Sequence, residues 1–446
     1  MTSTAPQPIA HAAHRVTSMP PGTAGGAVSP ATGSIRIAGE HFVAATFYLL
    51  AGAVGLIWIA PELAAGNFLS PHVAGITHLF TLGWLSTTIF GALYQLLPVA
   101  LGAPIRWPRV AHASFWTFAP GAGLFACGVA DSSTMLHDAG ITLLTIGVLL
   151  GVGNIAATLP RARHRDVTWA AIALAITFLL STLALGIVLL HNIHTGFIAG
   201  ARVRVLATHL HVAIVGWALI MMVGVSHRLL PMFLLAHGAE TKWTSRAVVL
   251  LAIGVPLLAV GLNTPYRFCA WVAVVALELG VAAFLWQAYS FYRVRVRRNI
   301  DVGMRFAATA LSFIAVAAII GPVLLARGAS SMRLATAYIV VGLLGGIVTY
   351  VVGFFYKIVP LLAWTARYRG QTSKPGVPTV AEMFSARVAK VQLGIMPGAV
   401  ALLALAIALA SPTLAYIGAA LFAAAVLLFD SQIIRVALGG TYRRPS

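Results

Sequence analysis

The sequence predicts an all-α, polytopic membrane bundle of about twelve transmembrane helices, arranged as three four-helix pseudo-repeats. Three observations carry this. The 446 residues are 60% hydrophobic and 9% charged, with a mean hydropathy of +0.92, whereas a soluble domain carries roughly 25% charged residues. The apolar runs are long enough to cross about 30 Å of hydrocarbon. One pattern also returns three times, roughly 130 residues apart.

Residues 1–39 are rich in Ala, Pro, Gly, Ser and Thr and have no apolar run, so no cleavable signal is expected. They are expected to form a disordered cytoplasmic tail, with His11 and His14 as solvated residues. The membrane domain follows at 40–437. Its first four spans are expected at 42–60, 74–100, 110–129 and 135–158. The next four fall at 168–190, 206–236, 247–263 and 268–292. The last four fall at 304–326, 334–363, 393–410 and 413–437, before a short tail at 438–446. Several runs are dense in Ala and Gly, as close helix packing in lipid requires.

The formal net charge of +19 does not indicate nucleic-acid binding, because the cations sit in alternate loops. Arg106, Arg109, Arg161, Arg163, Arg165, Lys242, Arg246, Arg293, Arg295, Arg297, Arg298, Arg305, Arg367, Arg369, Lys374, Arg443 and Arg444 fall in even-numbered loops or the C-terminal tail. The odd-numbered loops hold Arg202, Arg204, Arg267, Arg327 and Arg333. The positive-inside rule then places both termini in the cytoplasm. Two cysteines exclude a disulfide framework or a cysteine-rich zinc module. No phosphate-binding loop, hydrolase elbow, zincin or EF-hand pattern is present.

The repeated segments run from His78 to Pro98, His211 to Pro231 and Val340 to Pro360, and they align without a gap. His78 falls on His211 and Val340, Gly83 on Gly216 and Gly345, and Trp84 on Trp217 and Gly346. Tyr94 falls on His227 and Tyr356. These segments lie in spans 2, 6 and 10, which are expected nearest a pseudo-threefold axis. The closing prolines end or kink the helices near the cytoplasmic face.

Histidines gather on the outer side: His72 and His78 at the start of span 2, His191 and His194 at the end of span 5, His209 and His211 at the start of span 6. Polar side chains at membrane depth usually face a cavity or the bundle interior, and neutral imidazole ligates haem iron, copper and zinc. His209 and His211 differ by roughly 200° around their helix, so one can meet His78 across a flat cofactor while the other points away. The alternative for each is a hydrogen bond to a backbone carbonyl. His72, His191 and His194 are candidates for a secondary copper site, or are interfacial hydrogen-bonding residues. His227 lies about 24 Å further along span 6 and belongs to the cytoplasmic side. Glu278, mid-span in helix 8, is a candidate for proton transfer or for a structural hydrogen bond. Lys357 and Asp430 are expected to snorkel. Tyr94 and Tyr356 read as interfacial anchors, and Trp84 and Trp217 as core. Gly342, Gly345, Gly346 and Gly353 remove bulk, for close helix contact or for a large ligand.

Twelve spans, cytoplasmic termini, threefold repetition and outer histidines on spans 2 and 6 resemble the haem-copper oxidase catalytic subunit, the superfamily of cytochrome oxidases and nitric oxide reductases. The likeness is architectural across residues 40–437. It implies that His78 binds a b-type haem with His209 or His211, the span-10 histidine pair of that family being displaced here onto span 6. Span 10 has no histidine, span 7 lacks the family's histidine pair, and span 6 lacks its His-Pro-Glu type of motif. The standard oxygen-reducing copper site is therefore not expected. The chain is also similar in style to the NnrS family of twelve-span haem- and copper-containing proteins linked to nitric oxide stress. The resemblance implies an oxidoreductase or gas-binding protein of a bacterial cytoplasmic membrane. Its partners would be the lipid bilayer, a small gas such as nitric oxide or oxygen, and an electron-donor cytochrome or respiratory subunit. The alternative is a transporter or metal-handling permease, for which repeats and a polar midplane residue such as Glu278 are also suited.

Overall fold

The computed structural model describes residues 30–236, 238–296, 298–328, 331–371 and 375–441. Among these there is no strand, and twelve helices are long and apolar enough to cross a membrane. The protein is thus an integral membrane, all-α bundle. The spans are α1 (Ile35–Trp58), α2 (Pro71–Ala100), α3 (Pro108–Ala130), α4 (Thr134–Arg161), α5 (Val167–Thr195) and α6 (Arg202–Leu234). They continue with α7 (Lys242–Asn263), α8 (Arg267–Arg293), α9 (Val302–Arg327), α10 (Met332–Tyr368), α11 (Ala386–Ala408) and α12 (Pro412–Leu438). The helix containing α1 begins at Pro30, inside the stretch expected to be a tail. The tail readings at 1–29 and 442–446, with His11, His14, Arg443 and Arg444, lie outside the described residues, as do Arg297 and Lys374.

Helix ends follow local chemistry. Asp166 caps α5 by accepting from the amides of Thr168 and Trp169, and Asp301 caps α9 through the amide of Met304. Gly196 and Gly439 close α5 and α12 at positive φ, where a Cβ would be strained. Pro98, Pro231 and Pro360 end no helix; each lies inside the last turns of its span.

Each repeat packs alike. The first helix pairs with the second, the third packs on the second, and the third and fourth form a hairpin. α12 returns to α1 and closes the ring. The second helices are central: 78% of the apolar stretch of α10 and 67% of that of α2 are buried, with α6 and α3 at 56% and the rest at 17–44%. They also bond to one another. Trp217 Nε1 donates to Ser86 Oγ at 3.0 Å, joining α6 to α2. Ser226 Oγ and Tyr350 OH are 2.6 Å apart, joining α6 to α10. Trp84 and Phe355 have ring centroids 4.6 Å apart, joining α2 to α10.

The repeat register also sets a backbone irregularity. Each central helix contains a π-helical segment, at Leu79–Ser86, Val212–Leu219 and Val340–Val348. Each begins immediately at or after the shared His78/His211/Val340 position, and such segments concentrate at functional sites. In all three, the shared glycine receives an aromatic ring from the first helix of its own repeat. Tyr48 lies against Gly83, Phe178 against Gly216 and Phe313 against Gly345. Gly346 and Gly353 likewise serve close helix contact, against Ile314 and the backbone of Gly303.

Three polar expectations change in the folded chain. Tyr94 and Tyr356 are not interfacial anchors; both are buried, because the central helices are enclosed even near their ends. Tyr356 donates to Gln392 Oε1 at 2.6 Å. Asp430 does not snorkel but is buried, because it lies where α12 packs against α1, α10 and α11. Lys357 pairs with Asp301 Oδ2 at 2.8 Å.

Candidate functional site

Antiparallel threading brings the starts of α2, α6 and α10 to one face, together with the ends of α3, α5, α7 and α9. This face holds the few arginines of the odd-numbered loops. A cavity of about 1080 Å³ opens there, walled by α2, α6, α10 and their neighbours. A drug-sized or cofactor pocket typically measures about 300–1,000 Å³.

His78, His209 and His211 all line the cavity. His78 and His211 repeat one geometry. Each donates Nδ1–H to the carbonyl four residues earlier, Ala74 and Ala207, at 2.8 Å. That bond fixes the tautomer and leaves Nε2 with its lone pair. A backbone carbonyl on the far nitrogen is the usual support for a metal-ligating imidazole. The same bond also answers the need that a purely structural histidine would have, so it is the orientation of Nε2 that matters.

The two histidines of α6 diverge as their angular separation requires. His211 Nε2 lies 3.4 Å from Tyr338 OH of α10, with the rings stacked at 6.0 Å. His209 turns toward α2 and α5. It shares with His78 a smaller adjoining space of about 80 Å³, lined also by Thr182, Gly186 and Trp217. His209 Nδ1 is buried without a hydrogen-bond partner among the described residues, a costly arrangement for a polar atom.

Tyr338 is the residue the sequence reading missed. Extending the gap-free register two residues upstream puts it in the column of His209 and Ile76, so the signal was present. Glu278 also lines the cavity. It is near Tyr338: a Cβ built at Gly321 would meet Glu278 Oε1 at 3.6 Å and Tyr338 Cε2 at 4.0 Å. Gly342 lines the cavity as well, and a Cβ there would meet only Ala317, at 3.6 Å. It is the one member of the glycine group that opens space for a ligand.

Arg202, Arg204 and Arg267 are exposed and line the mouth, together with Asn263. The cavity is thus apolar along its walls, basic at its mouth and imidazole-rich within. It can hold a flat apolar molecule that carries anionic groups at one edge.

The remaining histidines disperse. His72, His191 and His194 do not form one group with ligand atoms within 4.8 Å. His72 Nδ1 is 2.7 Å from Glu62 Oε1, and its ring lies on Trp58. His191 lies against Phe197. His194 faces His137 instead. His227 is outside the cavity lining and lies 4.0 Å from Asp166 Oδ2, which is ion-paired with Arg228. Trp84 is core, as expected, and Trp217 is the inter-repeat donor described above. No protein-family model matches the chain, and no curated protein is significantly similar to it.

Proposed function

We propose that this integral membrane protein binds a b-type haem in the cavity between α2, α6 and α10. In this reading it acts in electron transfer, or in binding or reducing a small gas such as nitric oxide or oxygen. It would be a divergent relative of the haem-copper oxidase superfamily, or of the NnrS family, without the standard oxygen-reducing copper site.

The observation that carries the reading is the matched pair His78 and His211, with identical carbonyl-anchored tautomers lining one cavity. The donor set fits the cofactor: neutral imidazoles are haem ligands, His209 Nδ1 is buried without a partner among the described residues, and His211 Nε2 has a long 3.4 Å contact to Tyr338 OH that an iron would replace. His78, together with His209 or His211, would hold the haem iron through a ring nitrogen. Arg202, Arg204 and Arg267 would face the carboxylates of the macrocycle, as planar guanidinium groups commonly do. When bound, the haem would supply one-electron redox chemistry or a gas-binding iron. Tyr338 and Glu278 would hold or pass protons beside it, and the apolar wall would exclude water. The expected setting is a bacterial cytoplasmic membrane with both termini inside, following the arginine distribution. An electron-donor cytochrome or respiratory subunit would be its partner.

Protein purified from haem-replete cells should show a Soret band and sharp reduced α-bands. A colourless, iron-free preparation would refute the proposal. Haem retained by a His78→Ala, His211→Ala double variant would overturn the assignment of those two ligands.

A permease is the second reading. It is favoured by the size of the cavity and by Glu278, Asn263 and three arginines along it. Substrate-dependent uptake by haem-free protein in proteoliposomes would establish it.

A further inference from the structure

We infer that His137, Asp138 and His194 form a divalent-metal site, separate from the cavity, that joins the first repeat to the second. The three residues can each offer one ligand atom, all within 4.8 Å of one another, and among the described residues no other group of His, Cys, Asp or Glu does so. His137 and Asp138 lie in the first turns of α4, and His194 in the last turn of α5. Both helix ends belong to the arginine-poor face, so the ligands meet across the junction between repeats.

The local arrangement gathers the three donors. The His137 side chain is 5% exposed, and its Nδ1 lies 2.9 Å from Asp138 Oδ1. Its ring centroid is 5.1 Å from that of His194. His137 is held in place by the α3–α4 contact: a Cβ at Gly128 would lie 2.7 Å from its Cα. Asp138 and His194 are exposed and free to adjust. Imidazole nitrogen and carboxylate oxygen bind zinc at about 2.0–2.2 Å, which in a tetrahedron sets them roughly 3.3–3.6 Å apart. Closing from at most 4.8 Å therefore needs no more than about 1.2–1.5 Å of side-chain motion, which two surface residues can supply. The His137–Asp138 contact, now 2.9 Å, opens slightly to become one edge of the tetrahedron.

Two nitrogens and one oxygen suit zinc or copper(II), and they do not suit magnesium or calcium, which favour all-oxygen sites. Three protein ligands leave a fourth position for water on the exposed side. A metal here would also act on the cavity wall. α5 is one of the less enclosed spans, at 28% buried, and Gly186, Leu189, Leu190 and Ile193 of the same helix line the cavity. Fixing the end of α5 to α4 would hold that wall in place.

Zinc titration of full-length protein, purified without a histidine tag and stripped with a chelator, tests this. A chromophoric competitor gives the stoichiometry. Wild type should bind one more zinc ion per chain than His194→Ala, and zinc should raise the thermal midpoint of wild type but not of His194→Ala. Asp138→Asn should weaken that ion at least tenfold. Both substituted side chains are exposed, so unchanged midpoints without metal confirm that the variants fold. Equal zinc stoichiometry and affinity in wild type and His194→Ala would overturn the proposal. The visible spectrum of the same samples reports haem independently, so either reading can fail alone.

Discussion

Gly216→Ala is the most direct test of the threefold construction. A Cβ at this position would lie 2.7 Å from Cγ of Phe178 and 2.9 Å from its Cβ and Cδ1. A rotamer change can swing Cγ and Cδ1 but not Cβ, which the backbone fixes at 2.9 Å, so α5 itself must retreat. Restoring an ordinary 3.4 Å contact takes a shift of about 0.5 Å for Cβ at 2.9 Å, and about 0.7 Å if the ring keeps its rotamer with Cγ at 2.7 Å. Overpacking of this kind costs about 1–3 kcal/mol, against roughly 1 kcal/mol gained from the higher helix propensity of alanine. The expected net loss is about 0–2 kcal/mol. Gly342→Ala is the matched control. It lies in a π-helical segment too, but its Cβ would meet only Ala317 at an ordinary 3.6 Å. That variant should be neutral, or more stable by up to about 1 kcal/mol. Thermal unfolding in one detergent should therefore rank Gly342→Ala above Gly216→Ala by a few degrees. Gly83→Ala and Gly345→Ala should fall with Gly216→Ala, since Tyr48 and Phe313 fill the same place in their repeats. A Gly216→Ala protein as stable as Gly342→Ala would refute the wedge and the close approach of α5 to α6.

Other substitutions isolate other parts. Tyr350→Phe removes the hydroxyl that meets Ser226, but Ser226 Oγ still donates to Met222 O at 2.5 Å. The loss should be near 0.6 kcal/mol, the average for hydrogen bonds between membrane helices, read as a small drop in thermal midpoint. Asp166→Ala removes the α5 cap and the partner of Arg228, and should cost about 0.5–2 kcal/mol. Asp166→Asn keeps the cap and should recover most of that loss in the same assay. If the cavity takes a haem, joint replacement of Arg202, Arg204 and Arg267 by Gln should weaken haem retention by roughly tenfold or more, since exposed charge pairs are each worth up to about 1 kcal/mol. The effect, measured by transfer to apomyoglobin, should shrink at high salt.

The twelve spans were legible because crossing a bilayer imposes a length and an apolar composition that no neighbour can replace. Expected and observed spans differ mainly at their ends, where polar turns extend the helices: α10 runs to Tyr368 instead of ending at 363. The gap-free repeat likewise predicted which helices are central, since three copies of one segment must find equivalent surroundings. It also placed His78, His209 and His211 together, and the split between the two α6 histidines followed from helix geometry alone. Tyr94, Tyr356 and Asp430 were misread because position along a helix gives depth but not enclosure: the tyrosines sit on the central helices, and Asp430 on the packed side of α12.

What the sequence by itself determined is therefore periodic: span number, helix order, repeat register and the depth of each histidine. Each follows from a one-dimensional constraint, the thickness of the hydrocarbon or the rise and twist of an α-helix. What only the tertiary structure decided is lateral. It turned His209 toward His78 and His211 toward Tyr338, left an open wall at Gly342 while filling the space at Gly345, and moved His194 from His72 and His191 to His137 and Asp138. Those outcomes depend on which helices are neighbours and how they are rotated, and side-chain packing across the whole bundle sets both.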